Sequence, residues 1–238
     1  MTTNFYAPPS AIRGSRVVLP KEEARHVRSV LRAERGDEIV VVDGQGGWYR
    51  VRIDHLGAEQ VVGGILETRQ EVGEPDVEVT VGLGILKKRS RFETFVEKAV
   101  ELGVRRIVPL RTRRTERESI RRDRLRKVMI AALKQCRRSR LPELDEPQTP
   151  KMLLEDRRTG GRLLCHGGGD GTPLLSALGD APESVLALVG PEGGFAPEEV
   201  NTAVGAGCTH VTLGRRRLRA ETAGVVALNA VMLQVQTC

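Results

Sequence analysis

The apolar residues of this chain change rhythm near residue 72. Before that point they come in short runs parted by glycine and proline. Val17-Val18-Leu19 stops at Pro20, and Gly36-Asp37 turns into Glu38-Ile39-Val40-Val41-Val42. Gly44-Gln45-Gly46-Gly47 reads as a hairpin turn. After it Tyr49, Val51 and Ile53 alternate with Arg50, Arg52 and Asp54, the period-2 signature of a strand with one buried face. A further strand is expected near Val61-Val62 and Ile65-Leu66. One helix interrupts them over 21–32, with Ala24, Val27, Val30 and Leu31 at helical spacing. Many short strands and one helix predict a small β-barrel domain over 1–72.

Glu71-Val72-Gly73-Glu74-Pro75 reads as a linker, and from 75 to 238 strands alternate with helices, the order of an α/β domain. Val77 to Leu86 is an expected strand. Phe92, Phe95, Val96, Ala99, Val100 and Leu102 mark one face of a helix that stops at Gly103. Ile107-Val108-Pro109-Leu110 is a second strand, 111–122 a loop and 123–136 a helix. Arg162-Leu163-Leu164-Cys165 runs into His166 and the glycine-rich 167–171, read as an ordinary loop histidine and a turn, with His166 facing a pocket and 167–171 touching a ligand edge as the alternative. A final helix over 222–236 carries Val225, Leu228, Val231, Met232 and Val235. Two more apolar runs end at glycine. Val185-Leu186-Ala187-Leu188-Val189 leads into Gly190-Pro191-Glu192-Gly193-Gly194-Phe195. His210-Val211-Thr212-Leu213 leads into Gly214-Arg215-Arg216-Arg217-Leu218-Arg219-Ala220-Glu221-Thr222-Ala223. Such runs read as buried parallel strands, and ligands of open α/β sheets bind at their carboxyl ends. The two turns therefore point to one pocket walled largely by backbone.

Composition removes several classes. No run of eighteen apolar residues indicates a membrane span, and the opening MTTNFYAPPS lacks the basic-then-apolar pattern of a secretory leader. Cys136, Cys165, Cys208 and Cys238 are scattered, which argues against a zinc site or disulfide framework and fits a cytoplasmic protein. A phosphate-binding Gly-x-x-x-x-Gly-Lys-Ser/Thr loop is missing, and Gly82-x-Gly84 sits inside a strand rather than at a strand-to-helix turn. Charge is uneven. Residues 1–74 hold 10 Lys/Arg against 11 Asp/Glu, and 75–238 hold 28 against 20, giving −1 and +8. The segment 105–140 alone holds 15 basic and 3 acidic residues. Such a segment suits a polyanion; the alternative is a solvated arginine-rich face.

The pair LVGPEGGF and LGRRRLRAETA, in this order, closely resembles the signature of the RsmE family. These are 16S ribosomal RNA uridine-N3 methyltransferases of the knotted SPOUT superfamily. Phe5-Tyr6, His26 with Val30-Leu31-Arg32, Lys98 to Gly103, and Gln135-Cys136-Arg137-Arg138 extend the resemblance along the chain. Arg217 stands where the family has an apolar residue, and Arg113-Arg114-Thr115 is a looser match.

The resemblance implies an N-terminal PUA-like RNA-binding domain and a C-terminal SPOUT α/β domain tied in a deep trefoil knot. It implies a homodimer, S-adenosylmethionine as cofactor, no metal, and 16S ribosomal RNA or the small ribosomal subunit as partner. Val189, Gly190, Glu192, Gly193, Gly194, Leu213, Gly214 and Leu218 then hold the cofactor. Methylating uridine at N3 requires loss of a weakly acidic proton, through a base or a cation that stabilises the anion. Arg219 is the candidate cation; Glu221 is the candidate carboxylate, or an acid favouring a helix N-terminus. RNA contacts are expected from Arg25, His26, Arg32, Arg111, Arg113, Arg114 and Arg138. Arg138 and Gln135 have stabilisation of the domain interface as an alternative role. Six residues make about 600° of helix, so His26 and Arg32 do not share a face, whereas Arg25, Arg28 and Arg32 do. Two other functions stay open: ribose 2′-O-methylation, and a non-catalytic RNA-binding assembly factor.

Overall fold

The change of rhythm has a structural counterpart, although the division is not contiguous. In the computed structural model, which describes residues 4–57, 59–156, 160–167, 171–179 and 183–236, the chain forms two units. Gly168, Gly169, Asp170, the Val235 side chain and Cys238 lie outside the described residues. The first unit runs to Glu74 and also takes Ile130–Leu141; the second holds Pro75–Met129 and everything from Pro142.

The first unit contains β1 (Phe5–Tyr6), β2 (Ile12–Arg13), β3 (Arg16–Leu19), α1 (Lys21–His26), β4 (Glu38–Val42), β5 (Gly47–Leu56) and β6 (Val61–Gln70). Its single sheet runs β1-β4-β5-β6-β3-β2, with β1 parallel to β4 and the other pairs antiparallel. Among the described residues the end strands β1 and β2 do not pair, so hydrogen bonding does not close the expected barrel. Val51 and Ile53 face inward with Phe5, Val17, Leu19, Ile39, Val41 and Val61. The helix expected over 21–32 departs from its pattern. Only 21–26 is α-helical, and Val27–Leu31 winds as a π turn ending at Arg32 with φ +53°. The wider i→i+5 winding carries Val30 and Leu31 off the buried face, leaving them 70% and 42% exposed. Ala24 and Val27 remain buried.

The segment 130–141 joins this unit for electrostatic reasons. Arg138, 3% exposed, donates to the Glu74 carboxylate at 2.7 Å, and the Ser139 and Arg140 amides donate to the other Glu74 oxygen. Lys134 Nζ donates to Glu23 at 2.6 Å, and Arg140 pairs with Glu71.

The second unit contains β7 (Glu78–Gly84), α2 (Arg89–Glu101), β8 (Arg106–Leu110), α3 (Arg122–Cys136, whose last residues lie in the first unit) and β9 (Glu143–Leu144). These are followed by α4 (Pro150–Glu155), β10 (Gly161–Cys165), β11 (Thr172–Pro173), α5 (Leu174–Leu178) and β12 (Ser184–Val189). The last elements are α6 (Pro197–Gly205), β13 (Thr209–Thr212) and α7 (Ala220–Gln236). Every strand pair is parallel, in the order β11-β13-β10-β12-β7-β8-β9. Strands buried on both faces need continuous apolar runs, which Val185–Val189 and Ile107–Leu110 supply. One layer covers the sheet with α2 and α7; Phe92, Phe95, Val96, Ala99 and Val100 are buried beside Ala227, Leu228, Val231 and Met232. On β8, β10 and β12, Val108, Leu110, Leu164, Leu186 and Leu188 pack with α4 and α6 side chains. The short β9, β11, α4 and α5 escape sequence reading because two to six residues carry no usable period.

Candidate active site

The two glycine turns meet, but β10 stands between their strands. Cys165 is in register with Val189 of β12 on one side and Val211 of β13 on the other. Three strand ends therefore open onto one cleft of about 1090 Å³. Val189, Gly190, Glu192, Gly193, Gly194, Leu213, Gly214 and Leu218 all line it, as does Arg219. Gly190 is needed because a Cβ there would lie 3.0 Å from the Gly194 backbone. Gly214 has φ +103° and no protein atom within 4 Å of where a Cβ would stand, so its Cα faces open cleft.

His166, for which a place at the pocket was the alternative, lies in the cleft, its ring centroid 6.4 Å from that of Phe195 and 5.9 Å from that of His210; Cys165 and Arg91 were not expected there. Burial first, then His210 and Arg114, lowers the His166 pKa. Cys165 is a wall, not a nucleophile: burial pushes its thiol up to about 12. Arg91, in the first turn of α2, stands 3.7 Å from Glu192 and 3.5 Å from Glu221. The signal for it was the basic run Lys87-Lys88-Arg89-Ser90-Arg91 just after β7, at the same end of the sheet.

Arg219 and Glu221 part company. Arg219 is exposed on the cleft, and no ion pair engages its guanidinium among the described residues. Glu221 is not among the cleft-lining residues. Its side chain is 12% exposed, one oxygen faces Arg91, and Oε2 is buried without a hydrogen-bond partner. It sits in the first turn of α7, where a carboxylate complements the positive helix end. Arg215, Arg216 and Arg217 are exposed cleft residues, so an arginine in the usually apolar 217 position buries no charge.

Comparison with known proteins now decides the family. A family model described as an RNA methyltransferase domain matches residues 73–232, and one described as an RNA methyltransferase PUA domain matches 19–66. Ribosomal RNA small subunit methyltransferase E of Synechocystis is 32% identical over 96% of this chain and 76% of its own. The chain belongs to the ribosomal RNA small subunit methyltransferase E family. Two solved structures are similar over nearly their full lengths. A probable rRNA-methyltransferase from Porphyromonas gingivalis superposes with TM-score 0.91 at 29% identity, covering 99% of both chains. The family enzyme from Neisseria gonorrhoeae, solved bound to S-adenosyl methionine, superposes with TM-score 0.86 at 28% identity, covering 97% of this chain and 96% of that one.

The basic residues assigned to RNA are dispersed. In the first unit Arg25 and Arg32 are exposed, while His26 packs edge-on against Phe5 at 5.6 Å. In the second, Arg111 is exposed, Arg113 is 76% exposed near Glu198, and Arg114 donates to the Gly193 carbonyl at 2.8 Å. Arg114 thus braces the cleft wall. Arg138 is a correction: buried against Glu74, it is an anchor within its unit and not an RNA contact of this family member. Among the described residues no group of three or more His, Cys, Asp or Glu is placed to hold a metal ion. No helix there is long and apolar enough to cross a membrane.

Proposed function

We propose that this chain transfers a methyl group from S-adenosylmethionine to N3 of a uridine in the 16S RNA of the small ribosomal subunit. The observation that carries the reading is the cleft itself, with glycine backbone and apolar Val189, Leu213 and Leu218 beside Glu192, and an arginine without a carboxylate partner at its edge. These residues fit an adenosyl group bearing a cationic sulfur: close backbone for its polar edges, apolar walls for its rings, a carboxylate for its charge. Single-ligand sites span roughly 300–1,000 Å³, so about 1090 Å³ leaves room for cofactor and part of a nucleotide.

When bound, the cofactor supplies an electrophilic methyl group. The chain must then hold a uracil ring in line and stabilise the charge that develops as N3 gives up its proton to water in the open cleft. Arg219 does this, because a guanidinium stays charged and donates in a planar fork. Glu221 does not touch the reacting base; it holds Arg91 and the start of α7. Gly190 and Gly214 admit the cofactor, and Arg114 keeps the Gly193 carbonyl in place. Arg25, His26 and Arg32 in the first unit, with Arg111 and Arg113 in the second, take RNA phosphates.

Three further parts of the proposal rest on family membership: a homodimer, a cytoplasmic site of action, and a deep trefoil knot. Calorimetry with S-adenosylmethionine, followed by transfer of labelled methyl to small ribosomal subunits, tests the reading. Binding and transfer are expected. A folded protein that binds RNA but no cofactor is instead an assembly factor.

A further inference from the structure

A second basic site lies on the second unit. Its centre is the start of α2, whose N-terminus carries no side-chain cap. The N-cap is Lys88, its side chain makes no capping bond, and the first turn has no acid. Lys88, Arg89 and Arg91 instead place positive charge at the positive helix end, an arrangement that destabilises a free helix. Arg89 Nε is buried and has no hydrogen-bond partner. Arg117 and Arg121 converge on the same shallow pit, floored by Ile85, Leu86, Phe92 and Leu125. Of the nearby carboxylates, Glu93, which lines the pit, is paired with Arg124 at 3.1 Å, and Glu116 with Lys87 at 2.9 Å. Arg117 is steadied by the Lys87 carbonyl, 3.4 Å from its Nε. Burial, then Arg121 and Arg117, lowers the Arg89 pKa, as expected of a cation among cations.

The pit is small. Its volume is about 20 Å³, room for one water-sized group such as a phosphate oxygen. We propose that Arg89, Arg117 and Arg121, beside the uncapped N-terminus of α2, form a clamp for one backbone phosphate of the RNA substrate. The inference rests on the RNA-methylating function proposed above. Lys87 connects the two sites, since its amide donates to Glu192 in the cleft wall and its carbonyl accepts from Arg117 at the pit. A phosphate seated here fixes the RNA strand beside the cleft without touching the reacting base.

The test uses the full chain with Arg89→Met and Arg121→Gln, which keep much of the side-chain bulk. Binding of small-subunit RNA is measured against salt. Each variant should flatten the log–log slope by roughly 0.7–0.9, one phosphate contact, with affinity for S-adenosylmethionine unchanged. Arg89→Met should also raise the Tm of the free protein by roughly 1–4 °C, because it removes an unpaired cation from a helix start. Inorganic pyrophosphate, at ionic strength matched with sodium chloride, should raise the Tm of the original chain and lose that effect in both variants. Unchanged slopes in variants of a protein that binds RNA overturn the clamp and leave the proposed function standing. A pyrophosphate effect lost in both variants, in a protein that binds no RNA, supports the anion site and overturns the RNA reading. A Tm that falls on Arg89→Met assigns Arg89 to packing and overturns the clamp.

Discussion

Arg219 faces the cleft and has no carboxylate partner among the described residues. If it meets the uridine anion, its effect is largest in the transition state, so its loss falls on turnover. Arg219→Ala should lower kcat by roughly 10²–10³-fold with both ligands saturating, and Arg219→Lys should recover only part of that. Full recovery of Arg219→Ala at high RNA concentration would make the residue a binding group. His166 offers a pH test. Its pKa is depressed from the ordinary 6.5, so below pH 6.5 the unfolded chain binds a proton that the folded chain refuses. Stability contributed by neutral His166 is complete above about pH 6.5 and is lost as pH falls toward the folded pKa. His166→Asn should therefore flatten the fall of Tm below pH 6.5; parallel Tm profiles would remove His166 as its source. The glycines of the cleft were legible because a run ending in glycine is a local signal. His166 was legible only as an alternative, because a loop histidine becomes a cleft residue only through the pairing of β10 between β12 and β13.

At the scale of elements, the notable link is Arg91 between the 190–194 turn and the first turn of α7. Its side chain is 26% exposed and that of Glu221 12%, so the pair is only partly screened. Arg91→Met should destabilise by about 1–3 kcal/mol, because it leaves a mostly buried carboxylate without its cation. In Arg91→Met/Glu221→Gln the combined loss should be smaller than the sum by about 0.5–2 kcal/mol, read from thermal unfolding. Strict additivity would mean that the two side chains do not cooperate. Strands and long helices were readable from their periods. The π turn at Val27–Leu31 was not, since Val30 and Leu31 fit an α-helical apolar face until the winding changes. Nor was the second unit's order of strands, because hydrophobic runs identify parallel strands without saying which are neighbours.

Across the whole molecule, the basic segment 105–140 is less exposed a patch than its sequence suggests. Arg105 meets Glu78, Arg106 meets Asp145 and Asp156, Arg122 meets Glu146, and Arg124 meets Glu93. Within the first unit, Lys134 and Arg138 meet Glu23 and Glu74. A count along the chain cannot see acids that folding brings from elsewhere, and for the same reason 130–141 changed unit. In the proposed function the RNA-facing charge comes from Arg111, Arg113 and the α2 pit in the second unit, and from Arg25 and Arg32 in the first. Neutralising Arg111 and Arg113 together should flatten the salt slope of RNA binding by roughly 1.4–1.8 and leave cofactor affinity unchanged. An unaltered slope would assign both to solvent. The central claim, that the cleft directs a methyl group to a base nitrogen, is tested most directly on the product. Small ribosomal subunits lacking the modification are methylated with the purified chain, digested to nucleosides, and analysed by mass spectrometry. The account predicts one new modified nucleoside, 3-methyluridine, absent when Arg219→Ala replaces the original chain at the same reaction time. A 2′-O-methylated nucleoside, or methyl transfer to a base other than uracil, would contradict it.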